Sequence, residues 1–119
     1  LLNDFDSKQF YDLKFNLIHQ KILYSSLYDD RELQKFIYER WTKYGLDLLI
    51  ESGKEESVIL DYVAQYADSE AVQVNYVDYY VRKGDYQKAM DILEEHTGHN
   101  YEAKRQEVIE AMNHHKEVS

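Results

Sequence analysis

Apolar residues recur every three or four positions through most of the chain, which predicts a succession of amphipathic α-helices. Glycines and capping residues divide the pattern into seven segments. Asp6 is expected to cap the first helix, with Gln9 completing a capping box and Phe5 packing on Phe10, and this helix runs to about Leu27. The other helices are expected over residues 29–45, 46–52, 55–67, 69–83, 86–96 and 101–116.

The clearest turn lies between the fifth and sixth predicted helices. Gly84 suits the left-handed position after a helix end, and Asp85 suits the N-cap of the next helix. The turn matches a tetratricopeptide hairpin at Tyr80, Gly84, Tyr86, Ala89 and Leu93. Val77 and His96 depart from that motif, and no second copy follows at a period of about 34 residues. The hairpin therefore favours an irregular α-solenoid over a regular peptide-binding repeat array.

The first predicted helix has two apolar faces. Phe10, Leu13, Leu17 and Tyr24 share one face at helical spacing. The second face consists of Tyr11, Phe15, Ile18 and Ile22. A helix that is apolar on two sides is expected to be covered on two sides. Another helix of this chain is one candidate to cover the second face. In the parent protein we expect this face to contact upstream helices or a partner subunit, and in this chain alone we expect it to drive self-association where it is left exposed.

These patterns predict an all-α fold of about six to seven short antiparallel helices, stacked as an irregular, TPR-like α-solenoid. Residues 1–119 are expected to form a single solenoid fragment. The last helix has only a narrow apolar line through Tyr101, Val108 and Met112, which is typical of the capping end of a solenoid. We therefore expect the fragment to be the C-terminal end of a larger protein.

Composition supports helices and narrows the range of partners. Proline is absent and glycine occurs four times in 119 residues, which disfavours a loop-rich or β-rich fold. The net charge of −9 opposes binding to nucleic acid or to an anionic membrane surface. No apolar run approaches the roughly 20 residues of a membrane-spanning helix. With no cysteine, the chain forms neither disulfides nor thiolate metal sites.

Candidate chemistry is sparse. His96 and His99 lie three residues apart, but Gly98 breaks the helix between them, so they do not share a helical face. The paired carboxylates, such as Glu55 and Glu56, begin or flank helices, where capping and dipole interactions explain them. No phosphate-binding loop or activated nucleophile is recognisable. The sequence therefore predicts no catalytic residue, no metal site, no cofactor and no enzymatic activity.

The region from Phe36 onward resembles the C-terminal α-solenoid of the large scaffold nucleoporins, in which a β-propeller precedes a long helical stack. The resemblance rests on five stretches, at residues 36–41 with 46–49, 76–80 with 86–93, and 104–109. It covers roughly two thirds of the chain, and vesicle-coat and tethering subunits share much of the same pattern. It implies a structural role in the nuclear pore complex, at the nuclear envelope, without enzymatic activity or a cofactor.

Sequence and resemblance together predict a structural scaffold that contacts other protein subunits of a large assembly, most plausibly the nuclear pore complex. We expect no nucleic-acid partner and no insertion into a membrane. One alternative is a TPR-like peptide-binding adaptor, and another is a cytoplasmic coat or tethering subunit. A third is the regulatory domain of an enzyme whose chemistry lies elsewhere in the parent chain.

Overall fold

The structure, a computed structural model, describes the backbone of residues 2–118 and the side chains of residues 10–114. The protein is all-α, as predicted, and no strand occurs among residues 2–118. The helices are α1 (Leu2–Tyr24), α2 (Arg31–Glu51), α3 (Glu56–Gln65), α4 (Glu70–Asn75), α5 (Val77–Arg82), α6 (Tyr86–Glu94) and α7 (His99–Val118), and a 3-10 turn (Ser25–Leu27) follows α1.

The chain divides into two compact units. The first extends to Gln73 and contains α1, α2 and α3. The second begins at Val74 and contains α5, α6 and α7, so the boundary falls within α4.

The first helix begins earlier than predicted. Because α1 starts at Leu2, Asp6 lies inside the helix and is not its N-cap. The predicted capping box with Gln9 and the staple between Phe5 and Phe10 involve side chains outside the described residues. The helix α1 gives way to the 3-10 turn at Ser25. The hydroxyl of Ser25 donates a hydrogen bond to the carbonyl of Ile22 at 2.6 Å.

One helix, α2, replaces the second and third predicted segments. Gly45 does not end a helix, since it is buried in the interior of α2. The helix is capped by Asp30, whose side chain accepts a hydrogen bond from the amide of Glu32 at 2.9 Å. The last residue of α2 is Glu51, and Gly53, with a φ of +73°, turns the chain away from the helix axis just after it. There the amide of Lys54 donates back to the carbonyl of Leu49 at 3.2 Å.

The core of the first unit joins α2 to α3. The buried face of α2 consists of Thr42, Gly45, Leu46, Leu49 and Ile50. Leu33, Phe36 and Tyr44 lie outside this buried face and are exposed. Ile59, Tyr62 and Tyr66 complete the core from α3 and the turn that follows it.

Polar side chains fix how α2 meets the turn between α3 and α4. The buried hydroxyls of Thr42 and Ser69 are hydrogen-bonded at 2.8 Å. Tyr38 donates to Asp68 at 2.6 Å, and a carboxylate oxygen of Glu39 accepts from the amide of Ala71 at 3.2 Å. These bonds satisfy polar groups at the start of α4 that burial would otherwise leave unpaired.

The second unit is built on the hairpin between α5 and α6. Gly84 has a φ of +82°, and the amide of Asp85 donates to the carbonyl of Tyr80 at 2.8 Å. Asp85 in turn caps α6 by accepting from the amide of Lys88 at 3.2 Å. The predicted fifth helix is, however, divided at Tyr76, where the amide of Tyr79 donates to Tyr76 in a tighter, three-residue bond.

Candidate protein-binding surface

The face of α1 that was expected to serve as an association surface packs inside the first unit. Ile22 is buried, and Tyr11, Phe15 and Ile18 are half-buried. The expectation that these four side chains form an exposed association surface is wrong, because they pack within the first unit. The reason is that α2 and α3 supply a matching apolar surface for this face.

Ring contacts show how this inner face is covered. The ring of Phe15 lies 6.4 Å from that of Tyr62 on α3 and 6.0 Å from that of Tyr11. The ammonium of Lys54 lies 4.5 Å from the centre of the Tyr11 ring. Gly45 opens space beside Ile18, since a Cβ at position 45 would lie 3.4 Å from a methyl carbon of that side chain.

The opposite face of α1 is exposed. Phe10, Leu13, Leu17 and Tyr24 are 59%, 67%, 53% and 57% exposed. These four side chains are named here the exposed stripe. Phe10, Leu13 and Leu17 follow the three- and four-residue spacing of one helix face, and Tyr24 lies on the same face seven residues after Leu17. Large apolar side chains aligned on one exposed helix face are typical of a protein-binding surface. The spacing of these residues is visible in the sequence, whereas their exposure is visible only in the structure.

A shallow pocket continues the exposed stripe beyond the end of α1. It has a volume of about 230 Å³ and lies between Tyr24, Leu27 and Tyr28. Leu27 is 71% exposed, so the pocket opens to solvent at an apolar edge. A row of exposed apolar side chains that ends in a pocket is suited to receive an apolar side chain from another protein.

Exposed large apolar side chains are concentrated in the first unit. Within residues 10–114, the large apolar side chains of high exposure all lie between Phe10 and Leu60. They include Leu33 and Phe36 at the start of α2. The second unit buries its large apolar side chains more completely, which makes the first unit the better candidate for binding.

A larger cleft of the first unit is polar and structural. It has a volume of about 400 Å³ and includes Arg31, Lys35, Tyr38, Glu39 and Asp68 in its lining. Its two carboxylates already accept hydrogen bonds, one from the Tyr38 hydroxyl and the other from a backbone amide. Burial, together with the hydrogen bond to Asp68, raises the pKa of Tyr38 and keeps its hydroxyl a donor. The cleft therefore presents no free acid–base pair.

The predicted hairpin residues meet in the second unit. Ala89 and Leu93 are fully buried, Tyr80 is buried, and Tyr86 is half-buried against the same cluster. Ala89 on α6 thus belongs to the same buried cluster as Tyr80 on α5. Val74, Val77, Tyr101 and Val108 complete this cluster, so the hairpin serves as a packing element.

One buried cation stabilises the second unit. The Lys104 ammonium lies 3.0 Å from a carboxylate oxygen of Asp78 and 2.9 Å from one of Glu107. Burial by itself lowers the pKa of Lys104, but the two carboxylates outweigh it and leave the pKa raised. The side chain is thus a charged structural link between α5 and α7.

The described residues were also considered as a metal site and as a membrane span. The imidazole of His96 stacks on the ring of Tyr101 at 4.7 Å. Among residues whose side chains are described, no group of three His, Cys, Asp or Glu residues is arranged to hold a metal ion. Within the described part of the chain, no helix has the length and apolar character needed to span a membrane.

Comparison with known proteins identifies no family or relative for this chain. No protein-family model matches the chain, and no curated protein or solved structure matches it either. The exposed stripe of α1 is therefore the feature from which a function is inferred.

Proposed function

We propose that this protein is a structural scaffold module that binds other protein subunits of a large assembly through the exposed stripe of α1. The observation that carries the proposal is the row of four apolar side chains on α1, each more than half exposed. The opposite face of the same helix is occupied by α2 and α3, so α1 is held in place while its outer face stays available. A rigid helix that presents apolar residues at helical spacing is suited to pack against another helix.

The assembly we propose first is the nuclear pore complex. This choice rests on the resemblance of residues 36–49, 76–93 and 104–109 to the solenoids of large scaffold nucleoporins. Capped helical hairpins and an acidic, all-α chain are compatible with that role. Coat and tethering subunits of the cytoplasm are the alternative assemblies, and no catalytic activity forms part of the proposal. A TPR-like adaptor is less favoured, since the exposed apolar surface lies outside the hairpin that has TPR spacing.

Localisation in eukaryotic cells tests this proposal. The chain is expressed with a fluorescent tag, alongside Leu13→Asp combined with Leu17→Asp. The matched control is Gln106→Glu combined with Asn113→Asp, which adds the same charge at exposed polar positions of α7. We expect the wild type and the control to concentrate at the nuclear rim, and the stripe variant to become diffuse. A diffuse wild type would contradict the nuclear pore assignment, and a stripe variant retained at the rim would contradict the role of the stripe.

A further inference from the structure

The exposed stripe has a charged edge of one sign. At about 100° per residue, Lys14 and Lys21 lie along one side of the row formed by Phe10, Leu13 and Leu17. The Lys14 ammonium lies 4.7 Å from the centre of the Phe10 ring, so the cation borders the apolar surface directly. Neither lysine forms an ion pair with any residue whose side chain is described.

Among residues 10–28, no acid lies beside these two lysines. Asp12 is the one carboxylate among residues 10–28, and helical spacing places it on the far side of α1 from both lysines. The edge opposite the lysines carries the neutral side chains of Asn16 and Gln20. A chain with a net charge of −9 therefore has an apolar and locally basic binding surface.

We propose that the exposed stripe docks an acidic amphipathic helix of another protein, an inference that rests on the proposed function and names its partner chemistry. The partner presents apolar residues every three or four positions to the stripe. Lys14 and Lys21 are seven residues apart, so they face two carboxylates one heptad apart on the partner. One apolar side chain of the partner enters the pocket between Tyr24, Leu27 and Tyr28.

Charge disfavours a second copy of this chain as the occupant. In an antiparallel pair of α1 helices, the lysine edges would face each other. In a parallel pair, Lys21 would face Asn16 of the other copy, which offers no opposite charge. Neither arrangement pairs the lysines, whereas an acidic helix pairs both.

Charge also disfavours an anionic membrane as the occupant. A surface-bound helix relies on many basic residues along its polar face, but α1 offers two beside the stripe, and the polar side of α1 carries Asp12. The remainder of the chain is strongly acidic and is repelled by anionic lipid. A single acidic helix places its carboxylates at these two lysines and meets less of that repulsion than an extended anionic surface does, because charges farther away than a Debye length are screened.

Two synthetic peptides of about three heptads provide the probe. Both carry leucine at the a and d positions, and one has glutamate and the other lysine at every e and g position. Like charges at these positions keep each peptide from pairing with itself. Dissociation constants are measured by fluorescence anisotropy at about 50 mM and about 500 mM salt, with circular dichroism confirming that each protein variant is folded.

We expect the acidic peptide to bind at least about tenfold more tightly than the basic peptide at low salt, with the difference shrinking at high salt. Lys14→Glu combined with Lys21→Glu should reverse this preference. The matched control is Arg82→Glu combined with Lys88→Glu, which changes the total charge equally at exposed positions on α5 and α6 and should keep the preference. The overall charge of −9 alone would favour the basic peptide, so the expected order is opposite to that of non-specific attraction.

Four other outcomes would reject an acidic helix as the partner, and each differs from the localisation result that would reject the proposed function. Equal binding of both peptides, abolished by Leu13→Asp with Leu17→Asp, would leave the stripe as a protein-binding surface without charge selection. Failure of both peptides to bind would reject the acidic helix, while rim localisation would still support the scaffold role. A dimer in sedimentation that the stripe variant dissociates would identify a second copy as occupant. Stripe-dependent binding to anionic phosphatidylserine vesicles would identify a membrane instead.

Discussion

The hydroxyl of Tyr62 on α3 donates a hydrogen bond of 2.6 Å to the backbone carbonyl of Thr42 on α2. The Tyr62 ring approaches α2 beside Gly45, where a Cβ would overlap its hydroxyl. Gly45 therefore leaves the space in which the tyrosine reaches the backbone of the neighbouring helix. Burial also raises the pKa of Tyr62, which keeps this hydroxyl protonated and donating.

Gly45→Ala should destabilise the protein, although glycine-to-alanine changes inside helices ordinarily stabilise by about 0.5–1 kcal/mol. The added methyl group has to displace Tyr62, and overpacking of this kind costs about 1–3 kcal/mol. Chemical denaturation should show the loss in the wild-type background and a much smaller loss in the Tyr62→Phe background. Equal effects of Gly45→Ala in both backgrounds would show that the hydroxyl does not define the gap.

Ala89→Glu should destabilise the second unit strongly. Ala89 is fully buried in the cluster with Tyr80 and Leu93, so the variant buries an unpaired carboxylate or separates the hairpin helices. We expect a loss of about 3 kcal/mol or more. Gln87→Glu is the matched control, since it adds the same charge at an exposed position near the start of α6. An unchanged melting temperature for Ala89→Glu would show that position 89 is not in the core.

The sequence predicted best those features that depend on neighbouring residues. The Gly84–Asp85 turn follows from backbone geometry and capping, and both parts are present as predicted. The prediction of a helix end at Gly45 is wrong because glycine is needed there for a different purpose, to leave space for Tyr62. Tyr62 lies 17 positions away in the chain and is brought close only by the fold. The glycine that does end α2 is Gly53.

The two faces of α1 show a second limit. Each face has four apolar residues at helical spacing, so periodicity gives no basis for choosing between them. The choice depends on α3, which places Tyr62 against Phe15. The exposed stripe was therefore visible in the sequence as a pattern, while its availability for binding required the tertiary structure.

Alkaline pH should unfold the first unit through its tyrosines. The folded-state pKa values of Tyr38 and Tyr62 are raised, mainly by burial, whereas unfolded tyrosines titrate near about 10. Because the pKa values are raised in the folded state, the contribution of these protonated tyrosines to the free energy of unfolding is complete below about pH 10 and is lost as the pH rises further. Tyr62→Phe should make the fall in unfolding free energy above this pH shallower.

Tyrosinate absorbance and far-ultraviolet circular dichroism, followed together from pH 8 to about 12.5, measure this effect. The absorbance of the buried tyrosines should rise only as the helical signal falls. Ionisation of every tyrosine with a midpoint of about pH 10, while the helical signal is intact, would contradict the burial of Tyr62 and the hydrogen bond from Tyr38 to Asp68.

The division of α1 into a packed face and a binding face is tested most directly by thermal unfolding of two matched double variants. Leu13→Asp with Leu17→Asp changes the exposed stripe, and Phe15→Asp with Ile18→Asp changes the face that packs toward Tyr62 and Gly45. Surface changes usually alter stability by less than about 0.5 kcal/mol each, so the stripe variant should melt within about 5 °C of the wild type. The inner-face variant should lose the unfolding transition of the first unit or melt more than about 15 °C lower. Equal stability of the inner-face variant and the wild type, or unfolding of the stripe variant, would contradict this division.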